Sequence, residues 1–167
     1  RTEELLGSLR SDPDSEDMNL FATLAHHPRL LKRWSAFGGM LLAGGALPDR
    51  DREVLILRTA ANTGADYEWG HHLPLGRLAG LSDDEMAALA SFGPTERTPG
   101  DELLVRAADE LHAGSVISDT TWAELAEIYD SRQLIEVCMV VGQYHLVGFT
   151  LNSLGIEREA GVEGLPQ

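Results

Sequence analysis

The sequence contains a single cysteine, Cys138, among its 167 residues. One cysteine cannot form a disulfide within the chain, and it cannot supply a zinc site built from several thiolates. Basic residues are also scarce, with 13 Lys and Arg against 27 Asp and Glu, which gives a formal net charge of −14. Because a surface of this charge repels phosphate backbones, we expect no nucleic-acid partner.

No secretory signal peptide is visible in the sequence. We therefore expect the protein to be located in the cytoplasm. Residues 137–156 run for twenty positions without Asp, Glu, Lys or Arg, which is long enough to cross a bilayer. The polar residues within this segment are instead typical of an apolar helix inside a helical protein. We therefore expect no membrane partner and predict that this segment is the buried central helix.

Helix start and stop signals recur every ten to twenty residues, and no alternating strand pattern is present. The stretch "SDDE" at residues 82–85, for example, is a capping box. The sequence predicts an all-α fold of about eight helices in a single domain over residues 1–167, with a core at 15–156 and a C-terminal tail at 157–167 that frays after Glu159. The predicted helices are 15–26, 29–43, 49–62, 66–79, 82–93, 99–114, 118–129 and a long one from residue 131.

The stretch "YEWGHH" at residues 67–72 concentrates polar side chains in one predicted helix. Glu68 and His72 are four residues apart and therefore share a helix face, while Tyr67 and His71 form a neighbouring pair with the same spacing. The face that carries Glu68 and His72 is partly apolar, so we expect these groups to point inward or into a cleft. Three titratable groups on two adjacent inward faces are not typical of a solvated helix surface.

Two further polar residues lie on apolar stripes of other predicted helices. Glu53 shares a stripe with Leu57 on the preceding helix, and a carboxylate in such a position needs a partner because burying it alone is costly. His145 shares a stripe with Val141 on the long helix. Taken singly, both residues have an ordinary structural explanation, Glu53 as a favoured carboxylate near a helix N-terminus and His145 as a hydrogen-bonded core histidine.

The segment "DREVLILRTAANTGADYEWGHH" at residues 51–72 resembles the core motif of the carboxymuconolactone decarboxylase-like family, which includes alkyl hydroperoxidase D. The resemblance extends through "AGLSDDEM" to the closing "GQYHLVGFTLNSLGI". It implies an all-helical fold and a homo-oligomer, commonly a trimer or hexamer. In the redox branch of the family, a Glu precedes Cys-x-x-Cys-x-x-x-His by twelve residues. That spacing places Ala65 and Glu68 at the two cysteine positions, with Glu53 and His72 retained.

The loss of both cysteines argues against the dithiol peroxidase mechanism that the family name suggests. Such a peroxidase needs one thiolate to attack peroxide and a second thiol to resolve the product. Ala65 and Glu68 have no thiol, and Cys138 lies in an apolar helix where we expect a buried thiol of high pKa.

The other branch of the family decarboxylates a small unsaturated lactone acid without a metal or organic cofactor, and resemblance to it implies acid–base chemistry. We therefore predict a cofactor-free lyase or isomerase that acts on a small carboxylate or lactone. His72 is the expected proton donor, and Glu53 and Glu68 orient it and shift its pKa. Tyr67, His71 and His145 are the candidate substrate-binding residues.

Two alternatives remain open at this stage. The first is a non-catalytic oligomeric scaffold in which the polar cluster is a buried hydrogen-bond network. The second is a metal enzyme, since Glu68 and His71, like Asp109 and His112, have the three-residue spacing used in helical carboxylate–metal bundles. His71 and His72 point about 100° apart around a helix, which makes it difficult for one ion to bind both. We therefore predict no metal site.

Overall fold

The computed structural model describes residues 18–166, and within that range it contains eight α-helices and no β-strand. The all-α prediction is confirmed. The helices are α1 Asn19–Leu24, α2 Pro28–Ala43, α3 Asp49–Thr63, α4 Asp66–Leu78, α5 Asp83–Ala90, α6 Pro99–Gly114, α7 Asp119–Ile128 and α8 Ser131–Leu154.

Most helix boundaries follow the capping signals of the sequence. The Ser82 side chain accepts from the Glu85 backbone, and Glu85 accepts from the Ser82 backbone, which completes the predicted capping box of α5. Helix α5 ends at Ala90, three residues earlier than predicted. The predicted start of the first helix at residue 15 lies outside the described residues.

The central helix of the fold is α3. Every residue from Arg52 to Ala61 is buried, and α3 packs against α4, α5, α6 and α8. The prediction that residues 137–156 form the central helix is therefore wrong. The charged residues of α3 are buried together with partners: Arg58, for example, donates to both carboxylate oxygens of Asp109.

Helix α8 packs on the core with one face and leaves an apolar face outside. It is the one helix among residues 18–166 that is long and apolar enough to span a membrane, and half of its most apolar window is buried inside the fold. Its large exposed apolar side chains form the α8 outer stripe: Ile135, Met139, Leu146, Phe149 and Leu154.

The turn between α3 and α4 brings these two helices side by side. Gly64 ends α3 with φ at +61°, a left-handed conformation that glycine adopts without strain. Only Ala65 separates Gly64 from Asp66, the first residue of α4. The Asn152 side chain of α8 donates to the carbonyl of Thr63 at 2.7 Å. The turn is therefore held against α8, which fixes the start of α4.

Residues 157–166 pack against α4 instead of fraying. The Leu165 backbone donates to Asp66 at 2.9 Å, and a Cβ on Gly70 would overlap the backbone of Glu163. Because Gly70 has no side chain, the C-terminal backbone approaches the surface of α4 closely. The predicted fraying after Glu159 is wrong for the described part of this segment, which we call the C-terminal strap.

Candidate active site

Helices α3 and α4 bring Glu53, Glu68 and His72 together. His72 Nδ1 lies 2.7 Å from Glu53 Oε2, and His72 Nε2 lies 2.9 Å from Glu68 Oε1. All three residues are at most 6% exposed. Glu68 is one helical turn before His72, whereas Glu53 reaches it from α3. The histidine is therefore bridged by two carboxylates, in the arrangement that the sequence predicts.

Arg52 and Tyr144 complete the surroundings of this cluster. Arg52 Nε faces Glu53 Oε1 at 3.7 Å, and neither buried atom has a hydrogen-bond partner in the described part of the chain. The ring of Tyr144 meets the His72 ring edge-on, with the centroids 5.1 Å apart. Glu53 thus lies between two cationic side chains, and the histidine ring is fixed on one side by an aromatic contact.

The environment of His72 keeps it protonated near neutral pH. Burial alone disfavours the charged imidazolium, but the hydrogen bonds that His72 donates to Glu53 and Glu68 outweigh burial and raise the pKa of His72 to about 10. With both ring nitrogens protonated, His72 donates to both carboxylates. The site therefore holds a proton between His72 and Glu68 that is shielded from bulk water.

A cavity of about 430 Å³ opens beside His72 and Glu68. This volume is at the lower end of the range for small-molecule sites, ~300–1,000 Å³. Most of the lining is apolar and comes from α1, α2, α4 and α8. The polar side chains in the lining belong to Ser35, Tyr67, Glu68, His71, His72, Gln143 and Tyr144. Glu53 is not among them, so it acts on the cavity through His72.

Tyr67 and His71 also line the cavity, and both are bound to the C-terminal strap. Glu159 accepts from the Tyr67 hydroxyl at 2.7 Å and contacts His71 Nε2 at 2.5 Å. Glu159 also accepts from the backbone of Asn19 at the start of α1. Burial, together with the hydrogen bond to Glu159, raises the pKa of Tyr67 above its ordinary value, so the phenol is a neutral donor. The sequence analysis missed Glu159, because nothing in the local pattern of an irregular segment indicates such a contact.

His145 is not brought to the cavity, which corrects the prediction that it binds substrate there. Its Nδ1 bonds to the carbonyl of Val141 at 2.8 Å, and its Nε2 lies 2.9 Å from His112 Nδ1. The stripe that His145 shares with Val141 turns away from the face of Gln143 and Tyr144, so the residue packs against α6.

The two helical pairs with carboxylate–metal spacing are engaged with other partners. Glu68 binds His72, and His71 binds Glu159. Asp109 accepts from Arg58 and from Asn62. Within residues 18–166, no group of three or more His, Cys, Asp or Glu side chains is arranged to hold a metal ion.

Cys138 lies away from the cavity and is half-buried in α8. Burial raises the pKa of its thiol, which lowers the thiolate fraction at neutral pH. Ala65, at the first position of the family's cysteine pair, is buried in the α3–α4 turn. The site therefore contains no nucleophilic thiol.

We expect no thiol-dependent peroxidase activity from this protein, because peroxide reduction by this route needs two thiols. The measurement is peroxide consumption coupled to dihydrolipoamide, with Cys138→Ser as the matched variant. Both proteins should show only the background rate. Turnover that is present in the wild type and lost in Cys138→Ser would contradict the assignment of Cys138 as an unreactive thiol.

Comparison with known proteins places the fold. Residues 28–110 match the model of the carboxymuconolactone decarboxylase family. A search of curated proteins finds no match. An alkylhydroperoxidase AhpD core from Ralstonia eutropha JMP134, a peroxidase-related protein, has a TM-score of 0.82 at 17% identity, over 95% of this chain and 85% of that one.

Two further solved structures have the same architecture. A putative antioxidant defence protein AhpD from Agrobacterium tumefaciens has a TM-score of 0.74 at 13% identity, over 83% of this chain and 96% of that one. The debrominase Bmp8, in complex with 2,3,4-tribromopyrrole, has a TM-score of 0.68 at 15% identity, over 95% of this chain and 81% of that one. Because the sequence identities to these structures are below 20%, the similarity establishes the fold and not the activity. The chain belongs to the carboxymuconolactone decarboxylase family and has the all-α alkylhydroperoxidase D-like fold, in a form that lacks the Cys-x-x-Cys pair.

Proposed function

We propose that the protein is a cofactor-free acid–base enzyme, an isomerase or lyase, that moves a proton at carbon in a small substrate. The observation that carries this proposal is His72 held between Glu53 and Glu68 at the wall of an apolar cavity. A proton donor and its carboxylate partner, both shielded from water and both reaching the cavity, are the groups that general acid–base catalysis requires. The debrominase relative, which binds a small ring compound, supports a small molecule as the ligand.

Each residue of the cluster has a distinct part in the proposed reaction. Glu53 accepts from Nδ1 and fixes the orientation of the His72 ring, so it is a positioning residue. Glu68 and His72 reach the substrate and share the proton at Nε2. In an isomerisation, a C–H bond breaks, its proton passes to Glu68, and a proton returns to a different carbon. In a decarboxylation, carbon dioxide leaves and the electron pair left on carbon takes a proton from His72.

The charge balance of the site favours an uncharged substrate. His72 lies between Glu53 and Glu68, and Arg52, which faces Glu53, also forms an ion pair with Asp49 at 2.9 Å, so the cluster has no excess of positive charge. No Lys or Arg is present in the described lining, and Glu68 is part of it. A free carboxylate in the cavity would be poorly compensated. Among the small carboxylates and lactones expected from the sequence, we therefore favour the lactone or a related neutral carbonyl compound, and isomerisation over decarboxylation.

The proposal is tested by hydrogen exchange at carbon. Neutral carbonyl compounds such as 1-indanone are incubated with the protein in D2O, and the loss of the C–H signal next to the carbonyl is followed by NMR. We expect exchange above the rate in protein-free buffer. If no compound of the panel exchanges and Glu53→Gln only lowers the melting temperature, the cluster is a buried network and the scaffold alternative is correct.

We also propose that the protein associates with itself through the α8 outer stripe. The stripe is a row of five large apolar side chains along one helix, each more than 40% exposed, and a contiguous apolar surface of this kind is typical of protein–protein contacts. Light scattering at micromolar concentration should give a trimer or hexamer, and Phe149→Asp should reduce the mass. Val116→Asp, an equally exposed apolar position outside the stripe, is the control and should leave the mass unchanged. A monomeric wild type would contradict this proposal.

A further inference from the structure

The wall of the cavity formed by α8 and α2 carries polar groups for which the described part of the chain supplies no partner. Gln143 is 6% exposed and lines the cavity, and its side-chain amide makes no hydrogen bond to any of residues 18–166. An amide has two donor hydrogens and an accepting oxygen, and these remain available to a molecule in the cavity. The amide of Gln143 is therefore a candidate contact for a bound molecule.

The backbone of α2 is shaped to leave room for this amide. A Cβ on Gly38 would lie 3.3 Å from Gln143 Nε2, which is tighter than ordinary contacts of that kind. Glycine is less favourable than alanine within a helix, but at this position it avoids that close approach. Here its absence of a side chain keeps the amide at the cavity wall.

Three other polar groups near Gln143 also have no hydrogen-bond partner in the described part of the chain. Across residues 18–166 no partner is found for the Tyr144 hydroxyl, for Ser35 Oγ or for Trp34 Nε1, and all three residues line the cavity. On the α4 side the opposite holds, because Tyr67, Glu68, His71 and His72 all have carboxylate or imidazole partners. The cavity thus has one wall of paired acid–base groups and one wall of unpaired hydrogen-bond donors.

The chemistry of the unpaired wall specifies its ligand. The amide N–H of Gln143, the phenol of Tyr144, the hydroxyl of Ser35 and the indole N–H of Trp34 are neutral donors, and they match an oxygen acceptor. A carboxylate or phosphate would need a cation that is free to bind it, but no Lys or Arg is in the described lining, and the charged His72 is already bonded to Glu53 and Glu68. An uncharged carbonyl oxygen on an apolar body satisfies both the donors and the apolar remainder of the cavity.

We propose that Gln143 binds the substrate's carbonyl oxygen and that the substrate is a compact, uncharged carbonyl compound such as a ketone, lactone or ester. The inference deepens the proposed function and rests on it for catalysis, because a donor at this oxygen also stabilises the negative charge that develops there when an adjacent carbon loses a proton. Binding of the carbonyl, in contrast, does not depend on turnover.

The experiment uses three compounds with one bicyclic skeleton: 1-indanone, indane and indane-1-carboxylate. Their binding to the wild-type protein and to Gln143→Met is followed by titration of isotope-labelled protein by NMR. Methionine keeps the volume and helix propensity of glutamine but has no N–H donor. We expect the wild type to bind 1-indanone more tightly than the other two, and Gln143→Met to bind 1-indanone about three- to tenfold more weakly with indane unchanged.

Two further variants keep the result decisive. His112 lies in α6 and does not line the cavity. His112→Gln is therefore the control and should leave all three affinities unchanged. Ser35→Ala repeats the test on α2 and should also weaken 1-indanone selectively, which covers the case in which Gln143→Met does not fold. Equal affinity of the wild type for 1-indanone and indane, or undiminished binding of 1-indanone by a folded Gln143→Met, overturns the inference.

Failure of this inference and failure of the proposed function give different results. If 1-indanone binds selectively through Gln143 but its C–H protons do not exchange in D2O, the carbonyl site stands and the acid–base function falls. If the protons exchange at the same rate in the wild type and in Gln143→Met, the function stands and the assignment of Gln143 is overturned.

Discussion

Replacing His72 by glutamine is expected to lower the rate of proton exchange at carbon by about 10²- to 10⁴-fold, the usual contribution of a positioned acid or base. Glutamine still hydrogen-bonds with Glu53 or Glu68, but it cannot release and recover a proton. The measurement is the NMR exchange rate of the best carbonyl substrate in D2O, with circular dichroism to verify that the variant is folded.

The matched control for this variant is His71→Gln, one position away on the same helix. His71 binds Glu159 and does not contact the Glu53 carboxylate. Its replacement should therefore change the exchange rate far less than His72→Gln does. Equal rates in the wild type and in His72→Gln would remove His72 from the mechanism.

The stability of the protein should fall as the pH rises from about 6.5 to about 10. The pKa of His72 is about 10 in the folded protein and 6.5 in the unfolded chain, so between these values the folded state binds one more proton. The stabilisation that the charged His72 contributes is complete below pH 6.5 and is lost as the pH approaches 10. Because one proton is released on unfolding in this range, the equilibrium constant for unfolding should rise by up to about tenfold per pH unit.

This dependence is measured by urea unfolding at several pH values between 6.5 and 9.5, in the wild type and in His72→Gln. The difference between the two curves isolates His72, because Cys138 and the buried tyrosines are the same in both proteins. His112→Gln is the control: burial and the neighbouring His145 lower the pKa of His112, so its contribution changes only at more acidic pH. Parallel curves for the wild type and His72→Gln would mean that His72 is not charged in the folded protein.

The Glu53–His72–Glu68 cluster was accessible to sequence reasoning because it depends on local geometry. The spacing between Glu68 and His72 defines a helix face, and a turn at Gly64 between two helices leaves few ways for Glu53 to face that helix. The same reasoning failed for His145. Periodicity assigns a residue to a stripe, but it does not say which neighbouring helix covers that stripe.

Glu159 and Gln143 show two further limits of the sequence. Glu159 lies in an irregular segment, 88 residues from His71 and 92 from Tyr67, and its role comes from docking at Gly70. Gln143 looked like one polar residue within an apolar helix. Its importance is visible only once the cavity is known and its partners can be counted. The central position of α3 was missed for a related reason, because its charges are neutralised by residues distant in sequence.

The bond between Glu159 and the Asn19 backbone joins residues 140 positions apart. Contacts between such distant residues form late in folding, since a long loop must close before they are made. Translation at ~5–20 residues per second separates the synthesis of the two by roughly 7 to 28 seconds. Before Glu159 is synthesised, the backbone of Leu20 can already donate to the Tyr67 hydroxyl, but no carboxylate is present to bind Tyr67 and His71. The nascent chain therefore contains all of its acid–base cluster before it contains the carboxylate that fixes these two side chains at the cavity wall.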